Sequence, residues 1–260
     1  MKIVIGNMAA IYRRELLSYF ASPLAYSIAG VFWLLCGGLY WIVLNSTLLI
    51  SQDANLRGQS LDAPYIFLQD FMGILGFISL FILPILSMGL YTEERKRGTL
   101  ELLATSPITN WAVALGKLLG VVTFYLAIVL PVLLYVGITL NATTPPITPP
   151  VLLSGLLGLV LMAACMLSLG MFISSITDST ILAAILTFVL VLFLWLIDGV
   201  SKNLTGPLGQ GLGHLSLLRH YANLIQGIFD TSSLILFASY ILLGLFLTAQ
   251  SIEALRFQRS

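Results

Sequence analysis

Residues 118–177 read LLGVVTFYLAIVLPVLLYVGITLNATTPPITPPVLLSGLLGLVLMAACMLSLGMFISSIT and contain no Asp, Glu, Lys, Arg or His. About 20 apolar residues in helical form cross the roughly 30 Å hydrocarbon core of a bilayer. The stretch is too long for one such helix and suits two. Its break is internal: Asn141-Ala-Thr-Thr-Pro-Pro-Ile-Thr-Pro-Pro150 carries four prolines, each lacking the N–H that would continue a helix. Two membrane helices are therefore predicted, at about 118–138 and 151–173, joined by a short turn.

The same test locates four more. No charge lies between Glu15 and Asp53, and 24–44 is the apolar body of that run. Residues 71–91 form a second span, in which Pro84 predicts a kink. Residues 180–197 and 234–249 complete six. The whole-chain composition agrees, with 58% hydrophobic and 9% charged residues and a mean hydropathy of +1.01. A soluble domain carries about 25% charge, so an ordinary water-exposed surface is excluded. The expected fold is an all-α integral membrane protein, with residues 1–260 as one transmembrane domain.

Orientation follows from the basic residues, which collect on the cytoplasmic side of membrane proteins. With six spans both termini share one side. That side holds Lys2, Arg13, Arg14, Arg95, Lys96, Arg97, Lys117, Arg256 and Arg259, against Arg57, Lys202 and Arg219 on the other. Both termini are thus expected in the cytoplasm. The net charge of +1 excludes a polybasic nucleic-acid binder. Cys36 and Cys165 sit singly in apolar runs and read as small buried hydrophobes.

Three segments lie outside the spans. Residues 1–22 read as an interfacial helix, with Met8, Ile11, Tyr12, Leu16 and Tyr19 on one face. Glu15 falls within that apolar face and conflicts with it. No small-residue cleavage site marks these residues as a signal peptide. On the outer side, glycine-rich turns from Gly206 to Gly213 precede an amphipathic stretch over 215–229. The third segment is the loop after the second span, Tyr91-Thr-Glu-Glu-Arg-Lys-Arg-Gly-Thr-Leu-Glu-Leu-Leu-Ala-Thr-Ser-Pro107. Gly98 is placed to end one helix and Thr99 to cap another. The new helix, Leu100 to Ala104, is closed by Pro107 and is too short to be stable alone in water. Either a partner holds such a helix, or the segment is a solvated loop that serves only the positive-inside rule.

The order of residues in this loop, EERKRGTLELLATSPITNWAVALGKLLG, resembles that of ABC type-2 permeases, the membrane subunits of one class of ABC exporter. YRRELLSYFASPLAY (12–26), GMFISSITDSTILAA (170–184) and RHYANLIQGIFDTSSLILF (219–237) are similar to further segments of those proteins. The set looks most like the gliding-motility-type subgroup. The resemblance implies a six-helix subunit in the bacterial inner membrane that pairs with a second copy or a paralogue. It also implies cytoplasmic ABC ATPase subunits as partners, contact with membrane lipid, and room for a periplasmic accessory protein.

In such permeases the loop helix is the coupling helix that seats in the ATPase. Carried over by position, Glu93, Glu94, Gly98, Thr99, Leu100, Glu101, Leu103 and Pro107 would form this ATPase contact. Ser174, Ser175, Thr177 and Asp178 would form a second cytoplasmic contact. Asp178 stands where the family usually has a basic residue, which sets this second contact apart from the pattern.

This chain is not expected to be an enzyme. A phosphate-binding loop needs Gly-x-x-x-x-Gly-Lys-Ser/Thr, whereas Gly116-Lys117 is followed by Leu118 and preceded, at the first-glycine position, by Trp111. ATP and Mg²⁺ would be bound by the partner ATPase. The main alternative is an ion-coupled secondary transporter, which would place ionisable residues near the midplane; the predicted span cores hold none. An intramembrane enzyme would need clustered histidines and carboxylates, and His214 and His220 stand in the outer loop with only Asp198 and Asp230 sparsely around them. No substrate is legible.

Overall fold

A computed structural model describes residues 2–99, 109–143, 149–203 and 206–257. Among them the regular structure is helical. In chain order the elements are α1 (Lys2–Ala21), α2 (Pro23–Leu56), α3 (Ala63–Ser87), α4 (Gly89–Lys96), α5 (Asn110–Asn141), α6 (Pro149–Ile176), α7 (Thr180–Asn203), α8 (Pro207–His214), α9 (Leu217–Ile225) and α10 (Thr231–Phe257). Six segments are long and apolar enough to cross a membrane: Pro23–Leu56, Ala63–Lys96, Asn110–Asn141, Pro150–Ile176, Thr180–Asn203 and Thr231–Ala254. The chain is a multi-pass membrane protein built as a helix bundle.

The interior lies between α3, α5 and α6, where Phe71, Leu75, Leu83, Val129, Met162 and Met166 are fully buried. Outward-facing positions on α2, α7 and α10 keep large apolar side chains exposed, among them Trp41, Phe193 and Ile235. In water this would be costly; in lipid it is the expected surface, since the solvent is itself apolar. With no hydrophobic gain between helices in lipid, close packing and interhelical hydrogen bonds hold the bundle. The Trp33 indole N–H donates to the Ile128 carbonyl at 2.8 Å, and Ser79 and Tyr125 share a buried hydrogen bond of 2.6 Å. The apolar runs read from sequence fall inside these helices, which extend further. α2 continues past its neutral run as far as Leu56, carrying Asp53 paired with Arg57 at 2.7 Å.

The second span runs from Ala63 to Lys96 with a one-residue interruption of its ladder at Met88, between α3 and α4, where the backbone keeps helical angles (φ −58°, ψ −36°). Pro84 inside it withholds one N–H from the ladder. Ser174 of α6 holds this joint. Its hydroxyl accepts from the N–H groups of Tyr91 (3.0 Å) and Thr92 (3.2 Å) and donates to the Met88 carbonyl (2.8 Å). A side chain from another helix thereby caps the first turn of α4, which lacks a capping side chain of its own.

Candidate functional site

The end of the bundle that carries α1, α4 and the start of α5 holds Lys117 and Glu94, two of the buried charges among the described residues. Its centre is Lys117, seven residues into α5, with a side chain only 4% exposed. An ammonium has three protons to place, and here three acceptors meet them. They are the Leu90 carbonyl at 2.7 Å, Glu94 Oε1 at 3.1 Å and Glu15 Oε2 at 3.2 Å. The Tyr91 ring lies below the same ammonium, 4.9 Å from its centroid. Arg14 reaches Glu94 Oε1 from the surface at 3.3 Å. Two cations thus balance two carboxylates, which a buried ionic group requires. Glu94 Oε2 and the Tyr91 hydroxyl are buried without a hydrogen-bond partner.

Two glycines let α1 come this close. A Cβ on Gly116 would lie 2.9 Å from Ile11 Cγ2 and 3.0 Å from the Met8 carbonyl oxygen, and one on Gly120 2.9 Å from Glu15 Cβ. Four residues apart, they form one smooth strip of α5 along which α1 lies. The conflict that Glu15 posed on the apolar face of α1 is thereby resolved: the face meets α5, and Glu15 meets the lysine buried there. The far end of α1 is fixed by Tyr19, which donates to the Leu86 carbonyl at 2.7 Å and stacks on Phe124 at 4.9 Å. Burial, with Glu15 and then Glu93 nearby, holds the Tyr19 hydroxyl well above its ordinary pKa, so it remains a donor.

The sequence-derived contact residues divide between joint and surface. Glu93 is exposed and pairs with Arg97 across one turn at 3.6 Å. Glu94 is buried in the lysine junction. Gly98 adopts φ +69° and its N–H bonds the Arg95 carbonyl at 3.1 Å, ending α4 as the residue order suggests. Thr99 turns back, its hydroxyl donating to the Glu94 carbonyl at 3.2 Å. Leu100, Glu101, Leu103 and Pro107 lie outside the described residues. Of the second set, Ser174 serves the α3–α4 joint, Ser175 is buried and donates to the Phe172 carbonyl at 2.7 Å, and Thr177 is buried with its hydroxyl on the Ile173 carbonyl. Asp178 is 86% exposed and pairs with Arg95 at 2.8 Å, while Lys96 donates to the Thr180 hydroxyl at 2.8 Å. The acidic Asp178 has its counterpart here: α4 is basic on the face it turns toward α7.

The family described as ABC-2 family transporter protein matches the chain over residues 10–260. The chain belongs to this family. No curated protein matches it at the level of sequence. ABC-2 members are membrane components of ABC transporters and not ATPases themselves, so membership implies a cytoplasmic ABC ATPase as partner. In an ABC-2 permease the lysine junction gains a context: it ties α4, from which the 97–109 connection leaves, to α1 and α5 at once.

Sequence reading identified Glu93, Glu94 and Lys117 singly but not the junction. Two signals pointed to it. Glu15 and Lys117 are each a lone charge on an apolar helix face, and Gly116-Lys-Leu-Leu-Gly120 is a small-residue pair at close-packing spacing.

Proposed function

We propose that this chain is the permease subunit of an ATP-binding-cassette exporter in the bacterial inner membrane, with both termini cytoplasmic. Two copies, or one copy and a paralogue, enclose the pathway. The loop 93–107 seats in the ATPase, with Glu101, Leu100 and Leu103 on the contact and Gly98 and Pro107 bounding it. The exposed Asp178 beside Arg95 supplies the second contact. ATP and Mg²⁺ are held by the ATPase, and the residues here perform no chemistry. Within the family, the gliding-motility-type permeases are the subgroup it fits best.

The single observation that carries this reading is the joined position of α4. Force applied to the loop arrives at α4, which continues α3 and is anchored by Lys117 to α1 and α5 and by Ser174 to α6. The buried ion pairs tie any movement of α4 to the helices around it. An ion-coupled secondary transporter has no use for such a device.

The reading is tested by co-expressing the chain with ABC ATPase subunits from the same genome. A stable complex with two permease and two ATPase chains is expected in native mass spectrometry, and a one-to-one complex would contradict the dimer. Cys36 and Cys165 are buried and leave a quiet background for topology labelling. Ser60→Cys should react with an impermeant thiol reagent from outside intact cells, and Thr105→Cys should not. The reverse pattern would overturn the orientation.

A further inference from the structure

Two cavities lie side by side on the face between α2 and α3 and share part of their walls. The first, about 310 Å³, lies beside the lysine junction and presents Glu15, Tyr19, Ser22, Glu93 and Arg97. The second, about 530 Å³, runs along the membrane-facing groove and is lined without a polar surface by residues such as Val31, Leu35, Phe77 and Phe81. Leu24, Ile28 and Ile85 line both. The one hydroxyl on the groove wall, Ser27, is turned to the Pro23 carbonyl at 3.0 Å. From Leu24 to Leu39 the groove extends about 22 Å at the helical rise of roughly 1.5 Å per residue. One leaflet of a bilayer core is about 15 Å deep, so a complete acyl chain fits along it.

We infer that this composite site holds one zwitterionic phospholipid from the leaflet next to the charged end, with one acyl chain in the groove and its headgroup in the polar cavity. The head is assigned from charge. Glu15 is already paired with Lys117, which leaves the Glu93–Arg97 pair at the mouth. That pair is long, at 3.6 Å, and both partners are exposed, with side chains 60% and 76% accessible, so it is worth little by itself. A zwitterion exchanges it one for one, its ammonium going to Glu93 and its phosphate to Arg97. A purely anionic head would satisfy Arg97 and leave Glu93 facing like charge. The Ser22 hydroxyl lines the polar cavity next to Leu24, which lines both. The site shares Glu93 and Arg97 with the loop 93–107 and lies against α4, so its occupant touches the element that the loop moves.

The test uses the purified chain, delipidated in dodecyl maltoside and titrated with dioleoylphosphatidylethanolamine or dioleoylphosphatidylglycerol under native mass spectrometry. One phosphatidylethanolamine per chain is expected, bound about tenfold more tightly than phosphatidylglycerol. Val31→Trp, which fills the groove, and Arg97→Glu, a surface change that leaves the fold alone, should each abolish that preference. Leu134→Trp, on the exposed face of α5, should preserve it. Equal binding of the two lipids, or wild-type binding by both Val31→Trp and Arg97→Glu, would overturn the proposal. So would a disulfide between copies through Val31→Cys, since a second copy would then occupy the groove. The readout needs no ATPase, so failure here leaves the permease reading standing.

Discussion

The two ends of the bundle bury polar groups in different ways. At the charged end, Lys117, Glu15 and Glu94 are full charges removed from water and held by one another. At the opposite end a buried carboxylate, Asp198, is paired with the exposed Lys202 at 2.6 Å, and α8 and α9 fold back onto the bundle through neutral hydrogen bonds. The Tyr221 hydroxyl donates to the Met72 carbonyl at 2.6 Å, and that of Tyr240 to the Leu215 carbonyl at 3.2 Å. His220 is buried between them. Its Nε2 faces the His214 carbonyl at 3.0 Å, which can only accept, so Nε2 carries the proton and Nδ1 accepts from the Ser233 hydroxyl at 2.8 Å. A neutral network tolerates the loss of one member at the cost of one buried group left unsatisfied, about 1–3 kcal/mol. An ionic one does not, because each loss strands a buried charge. The charged end is therefore the brittle end, and it is the end from which the loop leaves.

The largest expected effect follows from removing the central cation. Lys117→Met leaves Glu15 and Glu94 buried without it, a loss of about 3–5 kcal/mol by analogy with broken buried pairs. Strongly reduced abundance and a lowered unfolding temperature in detergent should result. The triple replacement Glu15→Leu, Glu94→Leu, Lys117→Met removes all three charges together and should restore stability to near wild type while leaving ATPase stimulation impaired. If the triple variant stimulates the ATPase normally, the junction is structural only and the comparison between the ends loses its functional meaning.

A smaller effect is expected at the opposite end. A Cβ on Gly76 would stand 2.4 Å from Cε1 of the rigid Tyr221 ring, whose hydroxyl is already fixed on Met72. Gly76→Ala should cost about 1–3 kcal/mol as overpacking, read as a lower unfolding temperature. Gly73→Ala, three residues away and facing open space, should leave that temperature unchanged or slightly raised. Equal effects from the two would mean that α9 does not pack against α3 as described.

The smallest is a pH effect. Burial is the main cause lowering the His220 pKa from its ordinary 6.5, with Arg219 nearby acting in the same direction. A histidine held neutral in the fold binds protons more readily when unfolded. Its contribution is therefore complete above about pH 6.5 and declines as pH falls below that unfolded value. Acidification to pH 5 should lower the unfolding temperature of the wild type more than that of His220→Gln. Identical pH profiles would place His220 outside the hydrogen-bond network.

What could be read from sequence and what could not separate along the same physical line. The spans were legible because a charge inside the bilayer is expensive, so charge-free runs of the right length are rare by accident. The amphipathic stretch after Gly213 was legible by period and appears as α9. Its burial was not, since period alone does not say whether a polar face meets water or protein. Tyr221 finds its partner on α3, 149 residues away, and His220 finds Ser233 on α10 and His214 at the end of α8. Glu15 looked wrong on its own helix, Lys117 read only as a cytoplasmic basic residue beside a span, and the two make sense as a pair 102 residues apart. Ser174 resembled an exposed contact in a short turn, and the structure uses it to cap α4. Glu101, the residue given most weight in the loop, lies outside the described residues, and its role rests on residue order and on the helix that leads to it.

Glu101 is also where the central claim is most directly tested, because it lies outside every span and its change should not disturb the bundle. Truncating or reversing one member of a buried, hydrogen-bonded charge pair at an interface costs about 2–5 kcal/mol. The measurement is the affinity of the purified ATPase for Glu101→Arg in nanodiscs, beside wild type and with unfolding temperature as control. The account predicts a fold of unchanged stability and ATPase binding weakened by at least about tenfold, since each 1.4 kcal/mol is a factor of ten. Binding and ATPase stimulation equal to wild type would contradict it, and the loop would then be a solvated connection between two membrane helices.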